Sequence, residues 1–224
     1  MADILILETS TPHASIARVG PDGLRAQHLF TSDRNHNALL FEPLSELLQN
    51  PSRHEINLIL IGSGPGSYSG TRVGIAAAQG IALALQCPAV AIPSILAVPS
   101  ATNGAACLAI GDARRGSYWS ALMEQSQLVH EPELCNADEL AQRIEQAVAN
   151  GLPVIAFEHA DRFPVREELR HIILTEFPDA HRLWQVWNSA DATTRSHWQQ
   201  AIPQPIYLKP PHITPGKRQR LIQP

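Results

Sequence analysis

At 224 residues, with 44% hydrophobic and 17% charged side chains, the chain carries enough apolar material for a buried core, as one large domain or two of about 100 residues. Its net charge of −4, from 17 basic and 21 acidic residues, excludes a general electrostatic field for nucleic acid, so any RNA contact is local or borrowed from a partner. Three cysteines, Cys87, Cys107 and Cys135, are odd in number and lack CxxC spacing, which argues against a disulfide framework or zinc knuckle and for a reducing, cytoplasmic setting.

The opening MADILILETS has no basic segment before its apolar run and no small-residue cleavage site after it, so a strand is expected there and not a signal peptide. Strands are expected at Ile4 to Leu7, Ser15 to Val19 and, after the turn Pro21-Asp22-Gly23, Leu24 to Phe30. A helix follows, with Ser32 or Asp33 as its cap and Leu40, Leu44, Leu47 and Leu48 at helical spacing; Pro43 either kinks or starts it. Leu58 to Ile61 reads as a fourth strand, followed by a glycine loop, an apolar helix over about Thr71 to Leu85 and a strand at Ala89 to Ile92. The apolar run from Val73 to Leu85 falls well short of the roughly 20 residues of a membrane span.

Near residue 103 the pattern restarts. Leu108 to Asp112, a turn, Tyr118 to Leu122, a third strand near Gln127 to His130 and a helix from about Asp138 to Ala149, closed by Asn150-Gly151, parallel the first half. The expected organisation is an α/β chain of two similar units, 1–103 and 104–209, each with a mixed sheet, and a basic, proline-rich tail at 210–224. A strand at Val154 to Phe157, a helix around Ala190 to Gln200 and a strand at Ile206 to Leu208 complete the reading.

Residues 62 to 80, GSGPGSYSGTRVGIAAAQG, raise the question of a phosphate cradle. A Walker A loop needs GxxxxGK[ST], and here both the lysine and the spacing are missing; GxGxxG fails too, because glycine stands at 66 and not at 67. The loop and the helix start still offer backbone amides to an anion. In the helix, Gly70, Gly74 and Ala78 recur at four-residue spacing beside Ala77 and Ile81, which lets another element approach closely. That approach is either inside the domain or across a subunit interface. Arg72 stands in the first turn, where the helix dipole disfavours a cation; it points to an outside partner, the alternative being a solvated arginine.

Ten histidines form neither HExxH nor an i, i+4 pair, and no GxSxG elbow exists. Glu8 and Asp112 end the first strand of each half; facing a cleft they would suit magnesium and a nucleotide, and otherwise they satisfy turn amides. Lys217, Arg218 and Arg220 could touch a nucleic-acid backbone.

Ile4 to Thr11, Gly62 to Gly74, Asp112-Ala113-Arg114-Arg115-Gly116 and Pro205-Ile206-Tyr207-Leu208-Lys209, in this order, resemble the TsaB (formerly YeaZ) family. The resemblance implies a duplicated actin-like ATPase (ASKHA, ribonuclease H-like) fold with a reduced second unit. It implies a non-catalytic, cytoplasmic subunit of the machinery that forms N6-threonylcarbamoyladenosine (t6A) in tRNA, supporting the catalytic paralogue TsaD through a helix bundle, with the ATPase TsaE joining and tRNA met indirectly. A homodimer is expected when the partner is absent, and no cofactor, metal or membrane is implied. The interface residues expected on this basis are His36, Leu40, Leu44, Leu47, Tyr68, Gly70, Arg72, Gly74, Ala78 and Ile81. Glu8, one methylene longer than the family's usual aspartate, weakens a magnesium or phosphate role. His36-Asn37-Ala38-Leu39-Leu40-Phe41-Glu42-Pro43 is one residue longer than the family's HSExLLP helix motif. The competing reading is an M22 glycoprotease-like peptidase or a nucleotide-dependent enzyme using the cleft.

Overall fold

The computed structural model describes residues 2–31, 36–49 and 55–208. The chain begins as an antiparallel meander of β1 (Asp3–Glu8), β2 (His13–Gly20) and β3 (Gly23–Thr31), followed by α1 (His36–Gln49), β4 (Ile56–Gly62), α2 (Tyr68–Leu85) and β5 (Ala89–Ile92). These strands form one sheet in the order β3-β2-β1-β4-β5, with β1, β4 and β5 parallel. β1 and β4 are central and covered on both faces, which explains their unbroken apolar sequence. Leu5, Leu7, Ile59 and Ile61 meet Leu40, Leu44 and Leu47 of α1 and Ile75 and Ala78 of α2, whereas Ile6 and Leu60 look to the opposite side. Pro43 lies inside α1, so the helix runs through it; the expected caps Ser32 and Asp33 lie outside the described residues.

The second half repeats the plan. β6 (Cys107–Asp112), β7 (Tyr118–Glu124), β8 (Gln127–Leu128), β9 (Glu133–Cys135), α4 (Ala137–Ala149), β10 (Val154–Ala156) and β11 (Ile173–Thr175) build a sheet of order β11-β10-β6-β7-β8, with β9 also on β7. Read from the other edge, this is the strand order of the first sheet, and it is the duplicated actin-like, ribonuclease H-like fold. Two features make the second copy the reduced one. The expected single third strand is split into β8 and β9, with Pro132, which has no N–H for a ladder, between them. Between β10 and β11, α5 (Glu167–Arg170) has four residues, where α2 has 18.

After β11 the chain returns to the first sheet. The helix expected around 190–200 is α7 (Ala192–Gln200), and an unexpected one, α6 (Ala180–Ser189), precedes it; each is started by an aspartate: Asp179 accepts from Arg182 N at 2.8 Å and Asp191 from Thr194 N at 2.7 Å. Ala180, Leu183, Val186 and Trp187 bury one stripe of α6 in a core shared by Ile6, Leu60 and Ile92 of the first sheet and Ala109, Ala121 and Ile155 of the second. α6 is therefore the wedge that joins the two sheets, preceded by α3 (Pro99–Thr102), which packs beside it. Residues 206–208, expected as a strand, pair with no strand; residues 201–208 run as an extended strap along α2.

Candidate docking site on the outer helix pair

The glycine loop leaves β4 and enters α2 through Ser67, whose Oγ accepts from Gly70 N at 3.2 Å. Three of its backbone amides are used within the chain. Ser63 N donates to Ile92 O (2.9 Å), Gly64 N to Ser94 Oγ (2.9 Å) and Ser67 N to Ser10 O (2.6 Å). A phosphate cradle needs such amides free, and these three are not. Gly62 shows why glycine is required: a Cβ there would overlap the Glu8 carboxylate.

Glu8 is fully buried, and its Oε1 accepts from Ser10 N at 2.7 Å. Burial pushes its pKa up, against the hydrogen bonds from Ser10 and Ser94. Asp112 accepts from Arg114 N at 2.7 Å and pairs with the Arg114 guanidinium at 3.0 Å. Both acids thus bond the turns that follow their strands. Beside Asp112, after β10, Glu158 is pushed up to about 7 by burial, helped by the negative Asp112 and opposed by Arg114. Among the described residues no three His, Cys, Asp or Glu side chains are grouped to hold a metal ion, and no helix is long and apolar enough to cross a membrane.

α2 has two faces of small residues, half a turn apart. Gly70, Gly74 and Ala78 are buried; a Cβ at Gly74 would overlap Thr9 Oγ1 and lie 3.0 Å from Ile61 Cδ1. Leu40, Leu44 and Leu47 are buried in the same cluster, and Val73, Ala77 and Ile81 are half-buried against it. Of the expected interface residues, Leu40, Leu44, Leu47, Gly70, Gly74 and Ala78 thus pack inside the chain, Ile81 is half-buried, and Tyr68 and Arg72 are exposed. The side chain of His36 lies outside the described residues. The solvent face carries the offset set Ala76, Gly80 and Ala84, all exposed, with Leu83 83% exposed and nothing within 4 Å of a Cβ built on Gly80. On α1, Leu39 and Phe41 are exposed. The signal for this second set was in the sequence, AAAQGIALA, but periodicity alone does not say which side meets the sheet.

Arg72 finds its partner within the chain. Its guanidinium lies over the Tyr68 ring (3.7 Å to the centroid) and near the Tyr207 ring (5.3 Å), and Nε donates to Tyr207 Oη at 3.0 Å. Further along, Gln79 Nε2 donates to Pro203 O (3.0 Å), and Ile206 N donates to Ser63 O (2.9 Å). The strap therefore runs antiparallel to α2, and Tyr68 and Arg72 meet in one clamp at its end.

A family model described as "TsaD: tRNA N6-adenosine threonylcarbamoyltransferase" matches residues 30–162. The chain is 31% identical to the tRNA threonylcarbamoyladenosine biosynthesis protein TsaB of Escherichia coli K12 over 147 residues, 58% of this chain and 63% of that protein. It is 29% identical to the TsaB of Bacillus subtilis 168 over 127 residues, 54% of this chain and 55% of that protein. The match thus spans less than two thirds of either curated relative. Among solved structures, YeaZ from Pseudomonas aeruginosa superposes with a TM-score of 0.69 at 22% identity, over 93% of this chain and 100% of that one, which shows the same fold. With more than half of its residues inside the family model, the chain belongs to the TsaD family, and proteins named TsaB are among its curated relatives.

Proposed function

We propose that the chain is a non-catalytic subunit of the t6A-forming machinery and that it holds the catalytic paralogue TsaD through the outer face of α1 and α2. The observation that carries the reading is Gly80. Glycine inside a helix costs about 1 kcal/mol relative to alanine. Here no neighbour within the chain needs the missing side chain. Together with Ala76 and Ala84 it leaves a thin strip along which a second helix can approach closely, near the lower end of the usual 8–10 Å axial separation. Docking offsets a cost that the isolated chain leaves uncompensated. The names of the E. coli and B. subtilis relatives support the t6A assignment. TsaE and tRNA would reach this chain through the complex, in the cytoplasm, and the same face would pair two copies when TsaD is absent. Light scattering on the chain mixed with TsaD from the same organism is the test: a heterodimer at micromolar concentration is expected, and separate elution of the two proteins would refute the reading.

A further inference from the structure

The strap, residues 201–208, is tied to the loop after β4 and to α2 at several points. Three hydrogen bonds, from Gln79, from Arg72 and to Ser63, hold residues 203–207 along one flank of α2, and the Tyr68–Arg72–Tyr207 clamp closes its end. Yet the strap keeps apolar surface in water: Ile202 is 78% exposed and Tyr207 51%. Of the twelve large apolar side chains exposed among the described residues, six lie on α1, α2 and the strap: Leu39, Phe41, Tyr68, Leu83, Ile202 and Tyr207.

The exposed Ala76, Gly80 and Ala84 lie between the side of α2 that packs on α1, through Val73, Ala77 and Ile81, and the side that holds the strap, through Arg72 and Gln79. We infer that the strap is a third element of the docking face, the edge of a strip that takes one amphipathic helix of the partner, and that Arg72 is its positioning residue. The inference rests on the docking role proposed above. The occupant's chemistry follows from these surroundings. An apolar stripe would cover Gly80, Leu83 and Ile202, and a basic group would face the exposed Glu42 of α1, Glu46 being turned to His28 of β3 at 3.5 Å. The charge of Arg72 is already engaged by the two tyrosines.

The experiment measures the dissociation constant with TsaD by calorimetry for six full-length or truncated proteins. Wild type sets the reference, and Gly80→Leu reports the α2 strip. Ile202→Asp, at a side chain with little burial to lose, should weaken binding about tenfold with unchanged melting. A chain ending at Leu208 should bind as wild type does, whereas one ending at Ala201 should match or exceed the Ile202→Asp loss. If Ile202→Asp binds within twofold of wild type while Gly80→Leu does not bind, the strap is no part of the face and the inference falls, with the docking role intact. An equal loss on ending at Leu208 would overturn it as well, and no binding by wild type would overturn both. Arg72→Ala should weaken binding about fivefold and speed amide exchange at Ile206. Weaker binding without faster exchange would mean that Arg72 touches the partner directly, which overturns its positioning role.

Discussion

Alanine at Gly74 and alanine at Gly80 differ only in which side of α2 receives the methyl group. Each gains about 1 kcal/mol of helix propensity. At Gly80 the methyl meets nothing within 4 Å, so the gain stands alone and the melting temperature should rise by about 2–4 °C for a chain of this size. At Gly74 the methyl overlaps Thr9 Oγ1 and stands 3.0 Å from Ile61 Cδ1. Thr9 is fully buried and its Oγ1 donates to Gly70 O at 2.9 Å, so the hydroxyl moves aside only by giving up that bond, at about 1 kcal/mol. Overpacking adds about 1–3 kcal/mol. The net loss is about 1–3 kcal/mol, and the melting temperature should fall by about 2–10 °C. Thermal unfolding followed by circular dichroism measures both variants at one protein concentration. Equal shifts, or a Gly74→Ala variant as stable as wild type, would mean that α2 is turned differently on the sheet and that the solvent face has been misidentified.

Other outcomes follow from the same geometry. Glu158, at about 7 in the folded chain against an ordinary 4.5, keeps in the native state a proton that the unfolded chain has released. Its contribution is fully present below pH 4.5 and lost as pH rises through 7, on the order of 3 kcal/mol in all. Glu158→Gln should remove that slope, so urea midpoints at pH 5 and pH 8 should differ less in the variant than in wild type; identical differences would refute the assignment. Asp3 is fully buried between Arg18 (2.6 Å) and Arg25 (3.1 Å). Asp3→Ala should cost about 3–5 kcal/mol because Arg18, 3% exposed, loses its nearest carboxylate, while the Leu47 carbonyl (3.3 Å) and the more distant Glu55 (3.8 Å) remain, and a urea titration showing under 1 kcal/mol would contradict this. Asn136 and Glu139 cap α4 reciprocally at 2.9 and 2.8 Å, so Asn136→Ala should cost about 1 kcal/mol in the same titration; an unchanged midpoint would refute the cap.

Much of the fold is legible where local pattern and tertiary need agree. The meander, α2, β5 and the restart near residue 103 follow from apolar runs, turn residues and a cap. α6 is less legible, although its signal is present: Asp179 followed by Ala180, Leu183, Val186 and Trp187 is a capped amphipathic helix. Its apolar stripe serves two sheets at once, so no single-domain pattern draws attention to it. Ile206-Tyr207-Leu208 has strand composition, yet the helix face beside it offers side chains and no ladder, and the segment stays a strap. The docking face was half legible. Sequence spacing marks α2 as a helix of close approach but contains both small-residue stripes, 70/74/78 and 76/80/84. Which one faces inward is decided by Thr9 and Ile61, on two strands from elsewhere in the chain. Arg72 likewise pointed to an unmet charge, and its partner proved to be Tyr207, 135 residues away.

The most direct test of the docking account is the mass of the complex formed with TsaD by wild type and by Gly80→Leu. Leucine at this exposed helix position favours the fold, so the variant should be folded and at least as heat-stable as wild type. The account predicts a heterodimer with wild type and separate monomer-sized species with Gly80→Leu. A heterodimer of unchanged stability with Gly80→Leu would contradict it, because the outer face of α2 would then not be where the partner sits.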